Sequence, residues 1–316
     1  MKAIFPVILA LLFLSGCFQM MPALPEEKIY ALVATGEGLE VFDVTATPVS
    51  ISFVSLPNSA LDVEVSGRYA FLAGGQSGIL VFDMNDPENP VQLNQLNTHY
   101  AYGVELSGDY LYVADWTNGL LVYNVTDLPS PVLVAKLEEA DWAEKVHVSG
   151  DRAYVACYNE GLKVVDVSNP ANPVFLERVN LGTVKSVFGS DERIYAVVYD
   201  EGVSIIDAND LSQILGTYES QTPYDVIVSD SVLYLADYAF GVQTVDVSDP
   251  GNPFVLDHIP TSGGKAQSLC LHEGFLYIAD FNGYLTVVDV GDPSHLNEVF
   301  NVVTQGSANA VSLLAQ

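Results

Sequence analysis

Glu64, Glu105 and His147 hold the same place in three successive copies of one short pattern: DVEVSG, GVELSG and KVHVSG. Two carboxylates and an imidazole brought together could bind a metal ion or relay protons. The equivalent residues elsewhere are Phe188, Ile227, Cys270 and Ser312, so the set spans only part of the repeat. The other reading is side chains lining a hydrated bore or pairing locally. The run VDVSDPGNP, with Asp246, Asp249, Pro250 and Pro253, resembles a calcium loop at first sight. Its prolines sit at turn positions, however, and short Asp and Asn side chains bond nearby backbone N–H groups, so it reads as a turn.

These residues depend on a repeat that positions them. A glycine followed by alternating apolar residues recurs as GLEVFDV (Gly38), GILVFDM (Gly78), GLLVYNV (Gly119), GLKVVDV (Gly161), GVSIIDA (Gly202) and GVQTVDV (Gly241). A seventh copy, YLTVVDV, begins at Tyr284. Each full unit carries four β-type runs, here called strands A to D. In the third unit they are AYGVELS, YLYVAD, GLLVYNV and VLVAKLE. Four short strands repeated at a period of roughly 40 residues predict a β-propeller. The first unit begins at its strand B (KIYALVA), and ANAVSLLAQ at the end is a strand A with no successor. An all-β, seven-bladed propeller is therefore expected over residues 28–316, closed by the C-terminal strand joining the first blade.

Loops joining B to C and D to A share one face of a propeller. That face gathers aromatic residues. After strand B come Trp116, Tyr158, Tyr199, Tyr238 and Phe281; near the start of strand A come Tyr100, Tyr102, Trp142 and Tyr224. Aromatic rings on varied loops suit stacking against sugars, peptides or planar ligands, although the strand B series could equally pack blade on blade. Tyr100, Tyr102, Trp116, Trp142, Tyr158, Tyr224, Tyr238 and Phe281 are the expected binding residues. Glu64, Glu105 and His147 are weaker metal candidates. No catalytic residue and no cofactor is assigned, and binding is favoured over catalysis.

Units such as GLKVVDVSNPANPVFL and VHVSGDRAYVACYNEGL resemble the LVIVD repeat over essentially all of residues 28–316. That resemblance implies an extracytoplasmic bacterial β-propeller, commonly membrane-anchored. The fifth unit departs from it: DANDLSQIL lacks the proline-bearing C–D turn, which puts that hairpin in question.

The N-terminal sequence reads as a targeting segment. Lys2 precedes the apolar AIFPVILALLF, too short for a membrane span, and this runs into LSGC. The tetrapeptide resembles a bacterial lipobox. It implies a signal peptide over residues 1–16, lipid attachment at Cys17, and a tether over residues 17–27. Phe18, in place of a retaining aspartate, favours the outer membrane of a bacterial cell envelope. The 316 residues carry 40 acidic and 11 basic side chains, a net charge of −29. Such a charge repels nucleic acid and anionic lipid headgroups, so membrane contact is expected through the lipid alone. Cys157 and Cys270 remain as free thiols with no disulfide framework or paired metal motif.

The expected function is a lipid-anchored binding or scaffolding propeller for an envelope protein, peptide or glycan. The alternatives are a metal-dependent propeller hydrolase or lyase with a site over the axial channel, and a passive structural or adhesive envelope component.

Overall fold

Val, Ile, Leu and Tyr fit a pleated, half-covered surface, and Gly, Pro, Asn and Asp release the chain into turns. The computed structural model describes residues 27–316 apart from Pro129 and Asp191. These described residues form 28 strands in seven antiparallel sheets of four. Blade 2 shows the arrangement, running from the axis outward as Asp62–Ser66, Tyr69–Ala73, Ile79–Asp83 and Val91–Leu96. Each innermost strand touches those of the neighbouring blades all the way round, so the ring is closed. Among the described residues the helical segments are single 3-10 turns, Glu138–Ala140 and Tyr158–Glu160.

Closure follows the expectation. Ala308–Ala315 is the inner strand of blade 1 and pairs antiparallel with Ile29–Thr35 from Ile29↔Ala315 to Thr35↔Ala308. Backbone bonds between Lys28 and Gln316, at 2.8 and 2.9 Å, seal the end of the pair. Two side chains tie the tail to blade 2: Asn309 Nδ2 donates to Ala60 O, and Gln316 Nε2 donates to Met84 O, each at 2.7 Å.

The core is divided into seven slabs, one between each pair of adjacent blades. Tyr30, Leu32 and Ala34 face blade 2, while Ala31 and Val33 face blade 7. Strand B is covered on both sides, which is why it reads as an unbroken apolar run rather than an alternating one.

The Asp or Asn that ends strand C makes the same turn in all seven blades. Asp43, Asp83, Asn124, Asp166, Asp207, Asp246 and Asp289 each accept the backbone N–H two residues on. Asp249 likewise accepts from Gly251 N, so VDVSDPGNP is a turn. The A–B turns place Gly67, Gly108 and Gly150 at φ of 54°, 56° and 55°, a region glycine enters without steric cost. In blade 5 the missing prolines have a defined consequence. Strand D begins at once, as Asp210–Glu219, with Asp207 opposite Asp210 and two register shifts along the pair.

Candidate binding mouth and axial channel

The inner strands surround an axial channel, and strict alternation sends every second residue into it. Glu64, Glu105, His147, Phe188, Ile227, Cys270 and Ser312 all line one cavity of about 450 Å³, so the expected register holds. His147 Nδ1 lies 3.2 Å from Glu105 Oε1, and its Nε2 lies 3.0 Å from Gly189 O. A carbonyl only accepts, so Nε2 carries a proton; an ionised Glu105 then favours a proton on Nδ1 as well. Burial opposes the imidazolium, but Glu105 and the Gly189 carbonyl outweigh it and raise the His147 pKa. Both ring nitrogens are engaged, which favours a local ion pair over a metal ligand. Among the described residues no group of three or more His, Cys, Asp or Glu side chains is placed to hold a metal ion.

Glu64 behaves differently. Burial, then the nearby charges of Glu105 and Asp62, push its carboxyl up to about 8, with Lys145 opposing. Glu64 is therefore largely neutral at pH 7. Its folded pKa lies above the unfolded value of 4.5. Its contribution to stability is fully present below pH 4.5 and is lost as pH rises through about 8. Glu64→Gln is expected to melt close to the parent protein at pH 4.5 and several degrees above it at pH 9, by thermal denaturation. Equal melting temperatures at both pH values would remove Glu64 as the source.

Two residues nearer the loop face, the channel is closed in by Asp62, Lys145, Ser186 and Asp225. Lys145 Nζ donates to Asp62 Oδ1 at 3.0 Å, and Ser186 Oγ donates to Asp225 Oδ1 at 2.6 Å. The remaining carboxylate oxygens accept Val104 N and Leu269 N, each at 3.0 Å. Burial raises the Asp62 pKa, while Lys145 and the Val104 amide pull it back. Lys145 reaches from blade 4 to blade 2 because blade 3 offers only Gly103 there. A Cβ on Gly103 would stand 2.6 Å from Glu144 O and 3.1 Å from Lys145 Cα. Gly103→Ala is expected to cost about 1–3 kcal/mol in chemical denaturation, the range for overpacking.

The mouth sits above this waist. Glu144, Lys185, Tyr224, Gln267 and Asn309 each fall at a register shift, where two residues of strand A face one of strand B. These are β-bulges, which re-aim a side chain that alternation would have packed between blades. With Leu61 and Tyr102 they line a cavity of about 190 Å³. Lys185 Nζ donates to Glu144 Oε2 at 3.1 Å. Burial, then neighbouring phenols and Glu144, push Tyr102 up to about 12, and burial raises Tyr224 too, so both hydroxyls stay protonated.

The expected aromatic residues surround this mouth in two groups. Tyr102 lies 5.0 Å from Tyr100 and 5.1 Å from Trp116, ring centre to ring centre; Trp116 lies 5.0 Å from Trp142, edge to face, and 5.9 Å from Tyr158. Across the mouth, Tyr238 lies 5.7 Å from Tyr224 and 6.1 Å from Phe281. Trp116–Tyr158 and Tyr238–Phe281 each join adjacent blades, so the strand B series does brace blade against blade. Of that series Tyr199 and Phe281 are exposed and the other three rings half-buried; of the set at the start of strand A, Trp142 is 40% exposed. Trp116 and Trp142 adopt φ of 28° and 60°. A bulky residue in this region carries backbone strain, and such strain gathers at functional sites.

Asp115, Asp237 and Asp280, at the ends of strand B, are fully buried and belong to the loops. Asp115 accepts His99 N and Tyr100 N; Asp237 accepts Thr222 Oγ1 and two amides; Asp280 accepts Thr261 Oγ1 and two amides. They hold the mouth loops down. The residues that sequence reasoning left out of the site are Glu144, Lys185, Gln267 and Asn309, together with Lys145, Asp62 and Asp225. Their signal was charged and polar side chains at the head of strand A, where the same strand elsewhere is apolar.

Fold and mouth define a seven-bladed β-propeller with a polar, aromatic-rimmed axial channel. The LVIVD repeat matches residues 57–98, 99–138, 142–181, 223–259 and 263–304, well over half of the chain, which belongs to that repeat family. The unmatched stretches hold the split blade 1 and blade 5 with its altered hairpin. No curated protein matches the sequence. Among solved structures, a functionally unknown protein from Desulfotomaculum acetoxidans DSM 771 is similar, with a TM-score of 0.74 at 10% identity over 90% of this chain and 98% of that one. Apo AztD from Citrobacter koseri is also similar, with a TM-score of 0.65 at 11% identity over 92% and 98%. At such identities the likeness is one of fold.

Proposed function

We propose that this protein is a binding or scaffolding propeller of the bacterial cell envelope, lipid-anchored through Cys17, and that its aromatic mouth face receives an envelope protein, peptide or glycan. One observation carries the binding role. Seven repeated blades present six different residue types at the mouth ring, five of the positions on bulges, with the exposed Trp142, Tyr199 and Phe281 around it. Blade packing is met by the repeated residues below; in the ring, Asn309 ties the closing strand to Ala60 O and Lys185 pairs with Glu144, and the other positions vary from blade to blade. Cys17 and the targeting segment lie outside the described residues, and the lipid anchor rests on LSGC alone. The chain enters the ring at Glu27–Lys28, on the face of the A–B turns. A lipid at Cys17 would therefore leave the mouth directed away from the membrane.

The test is in-cell crosslinking of the full-length, native-anchored protein. A photoreactive residue at Trp142 is expected to capture a partner that one at Glu273, on the opposite face, does not. With the photoreactive residue kept at position 142, Trp116→Ala should abolish the capture. Equal capture from both faces, or none from Trp142, would defeat the reading.

A further inference from the structure

We infer that the mouth cavity is a subsite for one neutral saccharide unit; this rests on the mouth being a binding face. The cavity is small, about 190 Å³, suited to a single ring rather than a folded peptide. Its bulged residues alternate in character: Glu144 accepts, Lys185 donates, Tyr224 does both, and Gln267 offers an amide. Gln267 Oε1 is buried and has no hydrogen-bond partner among the described residues. A buried polar atom left unpaired costs free energy, so the Gln267 amide gains by turning toward a donor held in the mouth. A hydroxyl is the ligand group that donates and accepts at once, and a sugar carries several around an apolar ring face. Tyr102 and Tyr224 supply aromatic walls with protonated hydroxyls.

A cationic ligand is the obvious competitor in a protein of charge −29. Two lysines already stand over rings of the rim. Lys185 Nζ stands 4.4 Å from the centre of the Tyr158 ring, and Lys265 Nζ stands 4.9 Å from that of Tyr238. A second cation there would meet a like charge where it needs a free ring face. A neutral polyol meets no such repulsion.

The protein contains only two tryptophans, Trp116 and Trp142, and both sit beside the mouth, so selectively excited tryptophan fluorescence reports on this face. The full-length protein, purified in detergent, would be titrated with glucose, galactose, N-acetylglucosamine and N-acetylmuramic acid methyl ester, and in parallel with choline and putrescine. A saturable fluorescence change with at least one neutral sugar, and none with either cation, is expected. Gln267→Leu should weaken that sugar roughly tenfold, on the scale of one buried hydrogen bond, with an unchanged melting temperature. Should that variant misfold, Tyr224→Ala serves the same purpose. Preferred binding of a cation, no response to any sugar, or full affinity in the folded variants would overturn the inference. Capture of a protein from Trp142 with no sugar response would sink the saccharide subsite and leave the binding face standing. Failure of both experiments would remove both.

Discussion

Deleting residues 308–316 is expected to leave no cooperatively folded ring. The deletion removes the whole inner strand of blade 1, with every backbone bond from Ile29↔Ala315 to Thr35↔Ala308. It strips Ala308, Ala310, Val311 and Leu314 from the slabs that join blade 1 to blades 7 and 2. Ile29–Thr35, now covered on one edge, would become an unprotected edge strand, a template for aggregation. Burial of one large apolar side chain is worth about 1.5–3 kcal/mol, and whole domains are stable by only about 5–15 kcal/mol. Losing Val311 and Leu314 together, plus the ladder along Ile29–Thr35, is enough to exhaust that reserve. The expected result is aggregated or protease-sensitive protein with no sharp melting transition. A truncated protein that melted like the parent would show that the ring does not depend on its closing strand.

Lys145→Met should have the next largest effect, and a distinctive dependence on pH. Lys145 is the cation that Asp62 bonds directly, and its charge is also felt by Asp225 and Glu64. Two carboxylates with fixed amide partners cannot move away when it is removed. Breaking one side of a buried ion pair costs roughly 3–5 kcal/mol; the lysine side chain is 30% exposed to the bore, which places this one toward the lower end. Burial already raises the Asp62 pKa, and without the ammonium it rises further. An acid with a raised folded pKa stabilises the fold while protonated and loses that contribution as it ionises. The variant should therefore match the parent most closely near pH 4 and fall progressively behind toward pH 8, by urea denaturation at each pH. A deficit independent of pH would point to lost packing rather than to unpaired carboxylates.

Much of this molecule was legible in the sequence. The glycine-led repeat set the blade number, because a four-stranded unit cannot bury its own faces and must stack. The unmatched strands at the two ends set the closure, because an open ring would expose two edges. Glu64, Glu105 and His147 fell in the channel as expected, since a strand has a period of two and Val63, Val104 and Val146 claim the packing side. Position did not give chemistry: whether the imidazole meets a metal or a carboxylate depends on a distance of a few ångströms between blades.

What the sequence determined by itself is the architecture: seven blades, their order, their seal, and the face on which the aromatic residues gather. What only the tertiary structure decided is the site within that face. The bulges at Glu144, Lys185, Tyr224, Gln267 and Asn309 break the period of two, so alternation alone would have buried those side chains between blades. Lys145 reaches Asp62 only because Gly103 leaves a gap one blade wide. The physical reason is common to both. Repeat periodicity is local and survives in any single unit, whereas a channel is made where seven units converge, and its chemistry belongs to distances that no one unit contains.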